Sequence, residues 1–240
     1  LKFTKLKESR LVVVYEDENI LIADKPSGLI VHSDENEELN TLINHIKLYL
    51  YEKGDYVPSE ENSFAPALCN RIDRNTGGIV IAAKNAEALR VMNEKIKNDN
   101  IRKFYLCAVH GKMPKRADTL TGFLKKNSAN NLVTISDKKK EGYKNIITKY
   151  KVIMEKREHS LLEVELVTGR THQIRAHMAH IGHALLGDGK YGVNRDDRAQ
   201  GYKYQALYAY RLVFDFGEDN GYLGYLSGKQ VNLNASDVWF

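Results

Sequence analysis

Cysteine is scarce in this chain, which has only Cys69 and Cys107 among its 240 residues, and the two do not form a Cys-x-x-Cys pair. Two cysteines cannot supply the disulfide framework of a small secreted domain. We therefore expect a protein of a reducing compartment, the cytoplasm.

Long apolar runs are also missing, since none approaches the roughly 20 residues that a membrane-spanning helix needs. The first ten residues mix charged and apolar side chains and do not resemble a signal peptide. We expect no association with membranes. An initiating Met is missing too, which suggests that the natural protein extends further upstream.

Charge of one sign is only slightly in excess. The chain has 36 Lys and Arg residues against 31 Asp and Glu residues, a formal net charge of +5, with a pI near 8.9. Such an excess is compatible with a polyanionic partner but does not identify one.

Hydrophobic residues make up 42% of the chain, enough for a core in one large domain or two closely joined lobes. Strands are predicted for several short apolar or alternating runs: residues 11–15, 20–23, 29–32, 79–83, 104–110, 145–154, 160–167 and 206–216. Helices are predicted where apolar residues follow helical spacing: residues 41–51 before Gly54, a helix capped by Asn85, and residues 171–180 before Gly182. Residues 55–67 read as a loop, and residues 113–144 as an irregular or hairpin region. The pattern predicts an α+β fold with a mostly antiparallel sheet in two lobes.

Residues 70–78 (NRIDRNTGG) place Asp73 between Arg71 and Arg74 in a stretch rich in turn-forming residues. Adjacent cations favour the ionised carboxylate, and an exposed carboxylate can act as a nucleophile or a base. The alternative is a surface turn with a local salt bridge worth about 1 kcal/mol or less. These residue types alone favour that alternative.

Four histidines, His172, His177, His180 and His183, crowd one segment and raise the possibility of a zinc site. No cysteine or acidic residue lies at a spacing that would complete such a site. We expect these side chains to serve in packing, capping or contact with a polyanionic partner, and we predict no metal.

The Asp73 segment, NRIDRNTGGIVIAAK over residues 70–84, resembles the signature of RluA-type pseudouridine synthases. The pattern of that family is His-Arg-Leu-Asp-x-x-Thr-Ser-Gly, followed by an apolar strand and Ala-Lys. This chain departs from it at Asn70, Ile72 and Gly77. The resemblance implies that Asp73 is the catalytic carboxylate and that Arg71 helps to displace the target base.

Three further stretches match the family in the same order: residues 18–32 (ENILIADKPSGLIVH), 103–111 (KFYLCAVHG) and 161–192 (LLEVELVTGRTHQIRAHMAHIGHALLGDGKYG). The resemblance implies that Tyr105 stacks on the target base and that Arg175 pairs with the catalytic carboxylate. It makes Arg74, Thr76, Lys103 and Arg170 candidates for RNA contact. Residues 25–28 (KPSG) we interpret as a turn between strands.

The resemblance covers residues 11–216 and implies the pseudouridine synthase catalytic fold over the whole chain. It implies an isomerase that flips specific uridines out of structured RNA and converts them to pseudouridine without a cofactor. Ribosomal RNA is the favoured substrate, and transfer RNA is the alternative. We expect a monomer, and an S4-like RNA-binding domain upstream that this chain lacks. Two alternatives stay open: a non-catalytic RNA-binding or ribosome-assembly protein that keeps the fold, and a basic RNA-binding domain of unrelated fold.

Overall fold

A computed structural model describes residues 1–60, 64–218 and 221–240. The described residues form two compact units. The first comprises Leu1–Ile101 and Leu212–Leu233, and the second comprises Arg102–Arg211 and Asn234–Phe240. The predicted loop over residues 55–67 lies partly outside the described residues. Within those residues, none of the helices combines the length and the apolar character needed to cross a bilayer.

Strands predominate in both units. In chain order they are β1 (Val12–Glu16), β2 (Ile20–Lys25), β3 (Ala67–Leu68), β4 (Gly77–Ala83), β5 (Ile101–His110), β6 (Ala117–Asn127), β7 (Leu132–Ser136), β8 (Lys144–Glu155), β9 (His159–Leu166), β10 (Leu207–Phe214) and β11 (Gln230–Asn232). The α-helices are α1 (Leu42–Lys53), α2 (Ala86–Lys97), α3 (Gln173–His180) and α4 (Arg195–Ala199).

The first unit is built on β1, β2 and β4, which pair in that order as antiparallel neighbours. All of β4 is buried, as its continuous apolar run predicts. Ile81 of β4 lies opposite Ile22 of β2, and both belong to a core that also contains Met92 of α2 and Phe214. This core holds the strand that directly follows the Asp73 segment.

The second unit is an antiparallel sheet in the order β5-β9-β8-β6-β7. Residues opposite one another in such a sheet share a face. Tyr105 lies opposite Val164, and Val164 lies opposite Tyr150, so these three side chains share one face. The prediction of an α+β fold with a mostly antiparallel sheet is confirmed.

Both predicted helices of the first unit are confirmed, together with the predicted end at Gly54 and the predicted cap at Asn85. The side chain of Thr41 accepts the backbone N–H of Asn44 at the start of α1, and Gly54 ends that helix at φ +86°. The side chain of Asn85 accepts the backbone N–H of Ala88 at the start of α2. Both caps satisfy N–H groups that a helix leaves without partners at its first turn.

The prediction of a strand over residues 29–32 is wrong. Only Ile30 forms an isolated bridge, to Thr41, because backbone groups of this segment bond the start of α1 instead. Residues 113–144 contain the regular hairpin of β6 and β7, one of the two possibilities left open for that region. Most positions of β6 are exposed or half-buried, and the strand ends in Lys125, Lys126 and Asn127, which weakens the apolar alternation by which a strand is recognised.

Two buried polar side chains of α3 attach that helix to β8. Gln173 donates through Nε2 to the carbonyl of Ile147 and to Oγ1 of Thr148, both at 3.0 Å. One turn later, Nδ1 of His177 lies 3.0 Å from Oγ1 of Thr148. Burial lowers the pKa of His177 to about 4, so its ring is neutral at neutral pH.

We expect the unfolding free energy to fall as the pH is lowered from about 6.5 towards about 4, because the unfolded chain then binds a proton at His177 that the folded chain excludes. His177→Asn should remove this part of the pH dependence. Urea denaturation at about pH 7.5 and about pH 5 measures it.

Thr148→Val is the matched control, since it removes the hydroxyl that contacts His177 but no titrating group. It should lower the unfolding free energy by about 1 kcal/mol at both pH values. The prediction is wrong if His177→Asn retains the pH dependence of the unmodified protein.

Candidate active site

Asp73 lies in a tight turn directly before β4. The backbone N–H of Thr76 donates to the carbonyl of Asp73 at 3.1 Å, which closes a β-turn over residues 73–76. Asp73 is half-buried and Thr76 is buried. The turn therefore presents the Asp73 carboxylate at the end of a rigid, fully buried strand.

The lysine at the end of β2 ties this turn to a second one. Lys25 is 0% exposed, and its Nζ donates to the carbonyl oxygens of Pro26 (3.0 Å), Leu29 (2.6 Å) and Arg74 (2.9 Å). These three acceptors match the three donors of an ammonium group. The backbone N–H of Gly28 donates to the same Arg74 carbonyl at 2.8 Å.

Electrostatics also connect Lys25 with the Asp73 turn. Burial lowers the pKa of Lys25 to about 7, and the carboxylates of Asp73 and Asp24 act against that shift. Lys25 thus binds the turn through the Arg74 carbonyl and attracts the Asp73 carboxylate. For residues 25–28 the sequence predicted only a turn. The signal for the structural role of Lys25 was its position at the end of an apolar strand.

The residues around Asp73 include two exposed arginines and one side chain that bonds the backbone of β4. Arg71 is exposed, and so is Arg74, whose Nη2 donates to Oδ2 of Asp34 at 3.0 Å. Asn70, which replaces the histidine usual in the motif, accepts the backbone N–H of Ile81 on β4 at 2.8 Å. The departure at Asn70 therefore places a hydrogen-bond acceptor against the backbone of the buried strand.

In the second unit, Tyr105 and α3 lie on the same face of the sheet. Tyr105 is buried on β5, and Thr148, which binds α3, belongs to the face that holds Tyr150 and Val164. Lys103 lies two residues before Tyr105 on the same strand, and its Nζ approaches Gly169. The segment GRTHQIR (residues 169–175), part of the matching stretch over residues 161–192, therefore begins next to the strand of Tyr105.

Arg175 of α3 forms a buried, bidentate ion pair with Asp188. Its Nε lies 2.7 Å from Oδ2 and its Nη2 lies 2.9 Å from Oδ1 of that carboxylate. Burial acts to raise the pKa of Asp188, but hydrogen bonds from Arg175 and from the backbone N–H groups of Lys190 and Tyr191 lower it on balance. The guanidinium also lies over the Tyr191 ring, 5.2 Å from its centroid.

The loop before α3 is held by Gln173, whose Oε1 accepts from Oγ1 of Thr168 at 2.9 Å and from the backbone N–H of Arg170 at 3.1 Å. The Arg170 side chain is exposed. His172 adopts φ +52°, a conformation uncommon for residues other than glycine, and its Nδ1 lies 2.7 Å from the Tyr191 hydroxyl. Sequence reasoning assigned no role to Gln173 or Asp188.

Each histidine of this segment has a hydrogen-bonding partner of its own. His172 contacts Tyr191 and His177 contacts Thr148, as described above. His180 contacts Asp137 at 2.8 Å, and Nδ1 of His183 lies 2.9 Å from the carbonyl of His110. Across residues 1–60, 64–218 and 221–240, His, Cys, Asp and Glu side chains form no group of three that could hold a metal ion.

The predicted site residues divide between the two units. In the first unit the structure brings together Arg71, Asp73, Arg74 and Thr76. In the second unit it places Lys103, Tyr105, Arg170 and Arg175 around β5 and α3.

Comparison with known proteins agrees with the motifs. Residues 19–180 match the family model described as RNA pseudouridylate synthase. The chain is 36% identical over 213 residues to an uncharacterized RNA pseudouridine synthase of Mycoplasma genitalium, a match that covers 87% of this chain and 65% of that protein. It is 32% identical over 232 residues to ribosomal large subunit pseudouridine synthase D of Zymomonas mobilis, with coverage of 94% and 68%.

A solved structure supports the fold. Human RNA pseudouridylate synthase domain containing 1 superposes with a TM-score of 0.70 over 95% of this chain and 92% of that chain, at 20% sequence identity. At that identity the likeness shows the fold alone. The chain spans about two thirds of the length of the bacterial relatives that it matches.

We expect Lys25→Met to loosen the Asp73 turn, because it removes the ammonium that joins three carbonyl groups. Amide hydrogen exchange at Gly28 and Thr76 should become about fivefold to tenfold faster, which corresponds to about 1 kcal/mol. Lys84→Met is the matched control, since Lys84 instead contacts Glu16 and Asp55. Equal exchange in the two variants would contradict the role of Lys25.

Asp188→Ala should lower the unfolding free energy by about 3–5 kcal/mol, because the buried Arg175 guanidinium loses its bidentate acceptor. Asp196→Ala is the control, because Asp196 and its partner Arg195 are both exposed. The control should change the unfolding free energy by less than about 1 kcal/mol. Urea denaturation of both variants measures the difference, and similar losses would contradict the prediction.

Proposed function

Because this chain belongs to the RNA pseudouridylate synthase family, we propose that it isomerises specific uridines to pseudouridine in structured RNA. The observation that carries this proposal is the family match over residues 19–180, a span that contains Asp73, Tyr105 and Arg175. The favoured substrate is large-subunit ribosomal RNA, because the Zymomonas mobilis relative bears that name. Transfer RNA is the second choice.

Asp73 is assigned as the catalytic carboxylate. The reaction breaks the bond between ribose and N1 of uracil, turns the base, and forms a bond from ribose to C5, from which a proton leaves while N1 gains one. The atoms balance without a co-reactant. The tight turn and the buried Lys25 support this assignment, because a catalytic group is effective only when its position is fixed.

Tyr105 is assigned to the target base. Extrusion of a base from its stack costs a few kcal/mol, and stacking on an aromatic ring returns about 1–3 kcal/mol. Tyr105 is buried on β5 opposite Val164 of β9, which supports a fixed stacking surface. Arg71, exposed beside Asp73, is assigned to the gap that the base leaves.

Arg175 is assigned to the Asp73 carboxylate, as the family motif implies. Its bidentate pair with Asp188 supports this role, because it fixes the orientation of the guanidinium. A fixed cation would hold the reacting carboxylate ionised and in place.

The remaining assignments concern the RNA backbone. Arg170 and Arg74 are exposed cations suited to phosphate, although Arg74 also binds Asp34. Lys103 is half-buried on β5 and is assigned to the nucleotide near Tyr105. Thr76 is buried, so we assign its contribution to the shape of the turn that meets the RNA.

Pseudouridine mapping by carbodiimide labelling and primer extension tests the function. Unmodified large-subunit ribosomal RNA and bulk transfer RNA would be treated with the unmodified protein, with Asp73→Asn or with Asp99→Asn. Asp99 is the matched control, an exposed carboxylate of the same unit. We expect new stops with the protein and with Asp99→Asn, and a rate lower by about 10⁴-fold or more with Asp73→Asn.

The outcomes separate the substrate from the chemistry. Stops in transfer RNA alone would change the substrate and keep the reaction. Full activity of a folded Asp73→Asn variant would overturn the assignment of the carboxylate. If no RNA is modified but RNA is bound, the chain is a non-catalytic RNA-binding protein.

A further inference from the structure

The positive charge of the chain is concentrated in one part of the second unit. Residues 117–151, which include β6 and β7 and most of β8, contain eight lysines and three acidic residues. This formal excess of five equals the net charge of the whole chain. The other 205 residues are therefore electrically balanced, with 28 basic and 28 acidic side chains.

Six of these lysines form what we call the lysine surface, and all six are exposed: Lys125, Lys126, Lys138, Lys139, Lys140 and Lys144. Among the residues that the structure describes, none of the six has an acidic group within 4.0 Å. Protein surfaces usually intersperse charges of both signs, since like charges repel. A cluster without such neutralisation is suited to a polyanionic partner.

The loop that carries Lys138 and Lys140 is held in place by hydrogen bonds. Ser136 donates through its hydroxyl to the carbonyl of Lys138 at 2.8 Å, and the backbone N–H of Tyr143 donates to the carbonyl of Lys140 at 3.2 Å. Such anchoring reduces the entropy lost when the loop binds a partner. The lysines are therefore presented on an ordered surface.

The ring of Tyr143 lies close to two of these lysines. Tyr143 is half-buried, its hydroxyl lies 3.3 Å from Oγ1 of Thr134, and its ring centroid lies 5.9 Å from Nζ of Lys125 and 5.8 Å from Nζ of Lys140. Lys125 also packs against Gly142, where a Cβ would lie 3.6 Å from Nζ. Both ammonium groups thus lie within cation–π distance of one aromatic ring.

We propose that the lysine surface binds the sugar-phosphate backbone of RNA and supplies affinity rather than chemistry. This inference rests on the proposed function, because RNA is the polyanion that the enzyme would meet. The tip of the hairpin, residues 127–131, reads Asn-Ser-Ala-Asn-Asn. Its polar side chains suit phosphate and sugar contacts. An anionic membrane would instead be met by inserted apolar and aromatic residues, which the tip lacks.

The test measures RNA affinity as a function of salt in the full chain. Lys138, Lys139 and Lys140 are replaced together by Gln, and fluorescence anisotropy follows binding to a labelled fragment of unmodified large-subunit ribosomal RNA. Each phosphate contact contributes about 0.7–0.9 to the slope of log Kd against log salt. The triple variant should reduce that slope by about 2–3 and raise Kd by about tenfold or more at about 50 mM salt.

Two matched triple variants control for net charge and for side-chain chemistry. Replacement of Lys5, Lys7 and Lys97 by Gln removes the same charge from exposed positions of the first unit, and the slope should stay within about 1 of that of the unmodified protein. Replacement of Lys138, Lys139 and Lys140 by Arg keeps the charge and should retain the full slope. The turnover number at saturating RNA should be the same in all variants.

Failure of this inference differs from failure of the proposed function. Equal slopes in the Lys138–Lys140 variant and the Lys5, Lys7 and Lys97 variant would overturn the inference, whether or not pseudouridine forms. So would binding by the unmodified protein to vesicles of anionic phospholipid but not to RNA. A reduced slope in a chain that forms no pseudouridine would support the lysine surface and refute only the catalytic assignment.

Discussion

A buried lysine holds the turn of Asp73, the proposed catalytic carboxylate, in the first unit. Lys25 ends an apolar strand, and its ammonium gathers three carbonyl groups from two separate turns. A buried ammonium is tolerated only when its protons are satisfied, so the shapes of both turns follow from this requirement. One of those turns carries Asp73. The position of the candidate catalytic carboxylate therefore depends on the hydrogen-bond acceptors that the buried Lys25 ammonium requires, as well as on the contacts of Asp73 itself.

The second unit also contains buried polar side chains that need hydrogen-bond partners. Arg175 is buried with Asp188. Gln173 bonds one backbone group of the loop that precedes α3 and one of β8. Both buried side chains are polar. Gln173 makes four hydrogen bonds, and Arg175 donates twice to the Asp188 carboxylate. Such networks favour one arrangement, since any alternative leaves a buried group unsatisfied. Residues that fix geometry and residues proposed for chemistry are thus close neighbours in each unit.

Local patterns predicted most of the strands and helices, because burial of a continuous apolar run and capping of a helix depend on nearby residues. Residues 79–83 and the cap at Asn85 are clear cases. The candidate site was predicted as a set of motifs, but its supporting residues were not. Lys25 contacts a carbonyl 49 positions away, and Arg175 contacts a carboxylate 13 positions away. Hydrophobic periodicity cannot predict such pairings, because they form only when the chain is folded.

The uneven distribution of charge separates two properties that are often linked. Because the six lysines of the lysine surface are all exposed, their substitution leaves the buried side chains of the core in place. The affinity for a polyanion and the stability of the fold can then change independently in related sequences. The hairpin of β6 and β7, with its proposed RNA-binding lysines, is thus a place where related sequences can adjust the lifetime of an RNA complex without change to the residues proposed for catalysis.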